Sequence, residues 1–224
     1  MTIEFRELRT AAELAAMPAL EYRVWGGPSE LVAVNMLVAT INEGGMAIGA
    51  FHGDRLVGSV YGFATHQPDV LHSHYLAVDP EYRRTGLGVA LKHRQRAWCL
   101  ANGRTAMRWT FDPLQLGNAH LNLRSLGAIG VRYHVDLYGP MGGINGGLPS
   151  DRLVVQWDLV GERLPGTQTI EVAVTAVTAE EIASASAPAL RARVAVREAL
   201  MPLFVDRWVV TDVDRVGRIY TLSR

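Results

Sequence analysis

The chain has 224 residues, 49% of them hydrophobic, with 22 basic and 22 acidic side chains. That hydrophobic content fills a core without metal or disulfide staples, and the balanced charge, with no basic stripe, argues against a nucleic-acid binder. The single cysteine, Cys99, excludes an internal disulfide and fits a reducing, cytoplasmic setting.

The N-terminal run Met1–Arg6 lacks the apolar stretch of a signal peptide, and no apolar run approaches the ~20 residues of a membrane-spanning helix. Ile3 to Leu8 alternates as a half-buried strand. Thr10 and Glu13 have the spacing of a capping box. The helix they start runs towards Val24 and stops at Gly26-Gly27-Pro28. Ser29 to Ile41 reads as a second helix, ended by Gly44-Gly45. Met46–His52 and Leu56–Phe63 read as a hairpin across Gly53-Asp54. Leu71–Val78 is a third strand, broken by Asp79-Pro80.

Leu87 to Ala101 reads as a helix with Leu87, Leu91, Trp98 and Ala101 on one face and Asn102-Gly103 at its end. Ala106–Phe111 is a strand, Leu116–Leu126 a helix capped by Gly127, and Val131–Tyr138 and Leu153–Leu159 are strands. Between those two lies a loop, Gly139 to Asp151, with five glycines. The order β-α-α-β-β-β-α-β-α-β-β gives a mixed, mostly antiparallel twisted sheet flanked by helices, an α/β fold over residues 1–160. Residues 161–224 read as an extension packed on that domain. It holds a helical stretch, Ala179–Phe204, interrupted near Pro188 and Pro202, and a hairpin around Val216-Gly217.

The strongest chemical signal is Val78-Asp79-Pro80-Glu81-Tyr82-Arg83-Arg84-Thr85-Gly86-Leu87-Gly88. A strand ends, a loop with two glycines follows, and a helix begins inside it. The first N–H groups of a helix lack internal partners and carry partial positive charge, so phosphates sit well there. Gly86 and Gly88 allow close backbone approach, and Arg83 and Arg84 add forked donors. The Gly-x-Gly-x-x-Gly of a dinucleotide site and the Gly-Lys-Ser/Thr ending of a nucleotide P-loop are both absent.

Arg83-Arg84-Thr85-Gly86-Leu87-Gly88 resembles the Arg/Gln-x-x-Gly-x-Gly/Ala motif of the GCN5-related N-acetyltransferases. Leu76 to Arg83 resembles the strand and turn before it, and the element order from Ile3 to Leu159 is similar to the whole acyl-CoA N-acyltransferase fold. The resemblance implies an enzyme that moves an acyl group, acetyl or alternatively succinyl, from acyl-CoA to an amine. It implies that Arg83, Arg84, Thr85, Gly86, Leu87 and Gly88 hold the CoA pyrophosphate. Main chain at Leu76 and Val78 would pair with pantetheine, admitted by a splay between Leu71–Val78 and Ala106–Phe111. A narrower resemblance, carried by Thr110–Leu114, Asn118–Leu123, Leu126–Ala128 and Gly146–Arg152, is to a bacterial subgroup of amine or amino-acid acyltransferases.

Acyl transfer needs a deprotonated amine, and a histidine has the right pKa to take the proton. His72 and His74 are two apart on a strand and so share a side. His72-Ser73-His74-Tyr75-Leu76-Ala77-Val78 is similar to the His-x-His-x-Leu-x-Val run of arylalkylamine N-acetyltransferases, whose two histidines are implicated in proton removal. His74 is the expected base, His72 its assistant and Glu21 the second choice. The tyrosine that the superfamily places four residues before a glycine such as Gly127 is Leu123 here. Tyr133 or Tyr138 is left as a source of the leaving thiolate's proton, and a thiolate also leaves unaided. Asn118 and Asn122 are candidates for hydrogen bonds to CoA or an ordered water.

In the fold that the sequence resembles, Tyr22–Pro28 and Met141–Pro149 line the acceptor pocket. Tyr22 and Trp25 read either as its apolar wall or as helix core; Tyr138, Met141 and Asn145 are further candidates. The expected partner is a small-molecule amine, with no nucleic acid, membrane or metal, and exposed sheet edges suggest a homodimer. The rival reading is an acyl-CoA sensor or scaffold that has lost catalysis.

Overall fold

The computed structural model describes residues 2–27, 31–141, 147–161 and 166–224. The chain forms two compact units, Met1–Arg108 and Trp109–Arg224. The division falls inside a strand, whereas the sequence reading sets its boundary at residue 160.

In the first unit, β1 (Ile3–Glu7), β2 (Met46–His52), β3 (Arg55–Ala64) and β4 (Val70–Val78) form an antiparallel sheet in chain order. β5 (Ala106–Phe111) runs parallel to β4 through Val70↔Ala106, Leu71↔Met107 and His72↔Arg108. The expected first helix is two: α1 (Ala11–Leu14) and α2 (Met17–Trp25). Pro18 accounts for the break, since proline favours a helix's first turn, and it sits in the first turn of α2. Both halves of the Thr10/Glu13 capping box form, and Gly26 ends α2 with φ 74°. The next helix, α3 (Val34–Asn42), starts later than Ser29, and Pro28, Ser29 and Glu30 lie outside the described residues. α4 (Leu87–Ala101) follows a 3₁₀ turn at Pro80–Tyr82.

The α1–α3 side of the sheet carries the core. Leu14, Met17, Leu20 and Leu37 are fully buried against Ala47, Tyr61 and Ala77. Burial of each leucine or methionine contributes about 1.5–3 kcal/mol.

In the second unit the strand order is β7 (Arg152–Asp158), β6 (Ile129–His134), β9 (Val209–Asp214), β10 (Ile219–Ser223), β8 (Thr169–Ala173). β6 (Ile129–His134) ends four residues before the expected Tyr138, because Asp136 turns the chain at φ 47° and Ser150 N–H donates to its Oδ1. β7 is Arg152–Asp158. The helix expected over Leu116–Leu126 is a short α5 (Leu116–Ala119) that widens into a π turn over His120–Ser125. β8 (Thr169–Ala173), which the sequence reading lacks, pairs with β10 (Ile219–Ser223), and β9 (Val209–Asp214) completes the expected hairpin. α6 (Ala179–Ala183) precedes α7 (Ala187–Val205). Pro188 sits at the start of α7; Pro202 lies inside it without ending it. Buried ion pairs fix this unit: Arg193 grips Asp112 through both carboxylate oxygens, and Arg197 grips Asp151. No helix among the described residues is long and apolar enough to cross a membrane.

Candidate active site

β4 carries an extra residue. Its register with β3 steps from Tyr61↔Tyr75 to Gly62↔Ser73, which leaves His74 as a bulge. A bulge interrupts the two-residue alternation and re-aims side chains. Here the rings of His72, His74 and Tyr75 gather on the side of Tyr61 and Phe63. Ser73 and Leu76 turn to α4, where Ser73 meets Lys92 and Gln95 and Leu76 lies beside Gly88. The β4–β5 pairing includes His72↔Arg108, two residues before the bulge.

The ring cluster is continuous. His72 stacks on Phe63 at 4.7 Å, His74 stands 6.0 Å from His72 and 5.7 Å from Tyr61, and Trp25 meets Tyr75 edge-on at 5.4 Å. Burial pushes the His72 pKa down to about 4, helped by His74, Lys92 and Arg108. His72 is therefore neutral at physiological pH. His74 is solvent-exposed on its open side, and the rings around the rest of it lower its pKa by desolvation.

Glu21, the second candidate base, lies on α2. It is fully buried, and its carboxylate accepts from Tyr75 Oη at 2.9 Å and from the Val32 N–H at 2.9 Å. Desolvation raises its pKa against both hydrogen bonds. Sequence reasoning missed Tyr75, because a tyrosine next to two histidines on a strand reads as the opposite face.

The loop after β4 is clamped from below. Buried Asp79 accepts from Arg23 Nε at 3.0 Å, Arg55 Nη2 at 2.9 Å and Glu81 N–H at 3.2 Å. Burial opposes ionisation of Asp79, but these donors outweigh it and hold the carboxyl below its ordinary range. Arg55 also bonds Glu81 at 2.7 Å, and Thr85 Oγ1 donates to Tyr82 O at 2.7 Å. Above this base, Arg83, Arg84, Thr85 and Gly86 are exposed. Gly86 is the N-cap of α4 at φ 87°, with no side chain capping the helix, and Arg84 is also left-handed at φ 65°. A Cβ on Gly86 would meet nothing within 4 Å, and one on Gly88 would sit 3.5 Å from Leu76 and 3.7 Å from Val78. An uncapped helix N-terminus with an open backbone and two arginines fits a pyrophosphate.

Tyr22 is exposed at 55% and Trp25 is half-buried. In the second unit Asn118 is exposed, whereas Asn122 is buried and accepts from Trp109 Nε1 at 3.2 Å. The Tyr133 hydroxyl donates a hydrogen bond to Asp151 at 2.7 Å, and burial raises its pKa, which commits it to that network. Tyr138 is exposed and bonds Thr110 at 3.0 Å, and Met141 Sδ accepts from Arg152. Asn145 and Gly146 lie outside the described residues.

The Acetyltransferase (GNAT) family profile matches residues 12–128, just over half of the chain. No curated protein sequence matches it. Among solved structures, the ribosomal-protein-S18-alanine N-acetyltransferase from Escherichia coli is 19% identical, with TM-score 0.59, covering 73% of this chain and 99% of its own. The yncA structure from Salmonella typhimurium, solved with its cofactor acetyl-CoA, is 16% identical, with TM-score 0.58, covering 75% and 100%. A phosphinothricin acetyltransferase from Sinorhizobium meliloti in complex with acetyl-CoA is 19% identical, with TM-score 0.56, covering 70% and 89%. At these identities the likeness is one of fold.

Proposed function

Because the chain belongs to the GNAT acetyltransferase family, whose members are acyl-CoA-dependent N-acyltransferases, we propose that it transfers an acetyl group from acetyl-CoA to the primary amine of a small molecule. The observation that carries the reading is one unit's pairing of an uncapped, left-handed helix start at Gly86 with a strand bulged at His74. Bound there, acetyl-CoA supplies a thioester carbonyl for the amine to attack; as the amide forms, the C–S bond breaks and CoA leaves as a thiolate, a weaker base than the amine that needs no dedicated acid.

The chain's own groups have separate tasks in this proposal. Backbone amides of residues 86–88, with Arg83 and Arg84, hold the pyrophosphate. Main chain at Leu76 and Val78 pairs with pantetheine. The acceptor rests on the half-open rings of Trp25, Phe63 and Tyr75; Tyr22 is a further candidate on α2, and Tyr138, Met141 and Asn145 are candidates on sequence grounds alone. Ring faces attract an ammonium. His74 takes the amine's proton, directly or through one water. His72, with its low pKa, stays neutral beside it and does not repel the incoming cation. Glu21 is the second candidate base, favoured by its raised pKa and its link to Tyr75. Succinyl-CoA is the alternative donor. A cytoplasmic setting fits the single, buried Cys99. A homodimer through an edge strand such as β1 belongs to the same proposal.

Thermal shift with CoA, acetyl-CoA and succinyl-CoA tests the reading first. A ligand at ~100 times its Kd adds ~2.7 kcal/mol of stability. A thiol-release assay over a panel of amines then separates an enzyme from a sensor. Binding with turnover is expected, binding without turnover assigns the chain to the sensor reading, and no shift with any of the three overturns both.

A further inference from the structure

The chain contains one lysine among its 22 basic residues, Lys92; the other 21 are arginines. That lysine is 2% exposed. Arginine keeps its charge in any setting, whereas lysine loses it readily when buried, so the one position that holds lysine is one where the charge can be shed.

Its surroundings are specific. Lys92 Nζ donates to Ser73 Oγ at 2.9 Å and to Gln95 Oε1 at 3.0 Å. Ser73 Oγ donates to the same Gln95 oxygen at 2.8 Å, and Gln95 Nε2 reaches Met46 Sδ on β2 at 3.5 Å. Ser73 is the residue just before the bulged His74, and it pairs with Gly62 where the register steps. Gly62 has no room for a side chain, since a Cβ there would come 2.8 Å from His72 O and 3.1 Å from Gln95 Nε2. Lys92 sits in the second turn of α4, the helix whose N-terminus forms the cradle. A buried polar triad therefore joins the cradle helix to β4 at the bulge.

Given the acyl-transfer reading above, we propose that Lys92 is a positioning residue: through Ser73 and Gln95 it fixes the β4 bulge, and with it the place of His74 relative to the cradle on α4. A bulge has lost part of its ladder hydrogen bonding and needs another anchor. Buried polar networks hold one arrangement when every member is satisfied. Desolvation lowers the Lys92 pKa to about 7. Among the groups that act on it electrostatically are Cys99 on α4 and His72 on β4, with Arg104 acting on Cys99 and Arg108 on His72. The anchor's charge thus changes near neutrality, which provides a direct readout.

With lysine labelled at 15Nζ, the wild-type protein gives a single lysine signal. Its titration and that of the Ser73 and His74 amides should share one midpoint near 7; amides that do not move with it overturn the proposal. Lys92→Met and the milder Ser73→Ala should lower kcat with the best amine about 10- to 100-fold. KM for acetyl-CoA and the acetyl-CoA thermal shift should stay at the parent's values, and the Lys92→Met pH–rate profile should lose a limb near 7. Parental kcat and profile in both variants, or a kcat loss matched by an equal loss of acetyl-CoA binding, also overturns it. If Lys92→Met does not fold, Ser73→Ala and the wild-type titration decide. If acetyl-CoA binds but the wild type acylates no amine, the enzyme reading has failed, and the amide titration still decides whether Lys92 holds the bulge.

Discussion

Tyr75 Oη lies 2.9 Å from Glu21 Oε1 and joins the strand that carries the two histidines to α2. Glu21 is fully buried, and its pKa is raised by desolvation. A raised carboxyl stabilises the fold fully below its unfolded pKa, and that contribution is lost as pH rises through the folded value. The parent should therefore lose stability as pH rises from about 4.5 through that raised value. Glu21→Gln should flatten that slope, measured as urea midpoints from pH 4 to 8. Equal slopes in the two proteins would show that Glu21 does not titrate abnormally.

Lys92 gives the opposite window. Its folded pKa is depressed from 10.5 to about 7. Its contribution is fully present above 10.5 and is lost as pH falls through about 7. The parent should gain stability between those values relative to Lys92→Met, whose residual Ser73–Gln95 bond keeps the pocket satisfied. Parallel melting curves across that range would contradict the burial argument.

Gly86 tests the cradle. Its φ of 87° is left-handed, and nothing lies within 4 Å of a Cβ placed there. Gly86→Ala should cost about 1–2 kcal/mol from backbone strain alone. Gly86→Val should in addition weaken acetyl-CoA binding, read by calorimetry, because side-chain bulk keeps the pyrophosphate from the amides. A valine variant that binds as the parent does would place the phosphates elsewhere.

The two histidines should separate in kinetics. His74→Gln should lower kcat by about 10²-fold with acetyl-CoA binding little changed, the low end for losing a general base. Its acidic pH–rate limb, which lies below the ordinary histidine value because the His74 pKa is lowered, should move. His72→Gln should leave that limb in place, since His72 titrates at about 4. A His74→Gln enzyme with the parent's rate and profile would make Glu21 the next base to test.

Apart from β8, the break between α1 and α2 and the π turn after α5, the sequence by itself determined the order of strands and helices, the capping box at Thr10, the helix stop at Gly26 and the glycine-opened start of α4. Each is a local event, decided by hydrophobic period, by a side chain reaching three residues along, or by the backbone freedom of glycine. Tertiary structure decided the rest of the candidate site. The extra residue at His74 is defined only against β3, so alternation along β4 could not place Tyr75 beside the histidines. Burial of Glu21 and Lys92 depends on which helix face meets the sheet, and an isolated charged residue in a helix reads as solvated. Their shifted pKa values follow from that burial, because desolvation is a property of the packed chain and not of a residue's neighbours in sequence.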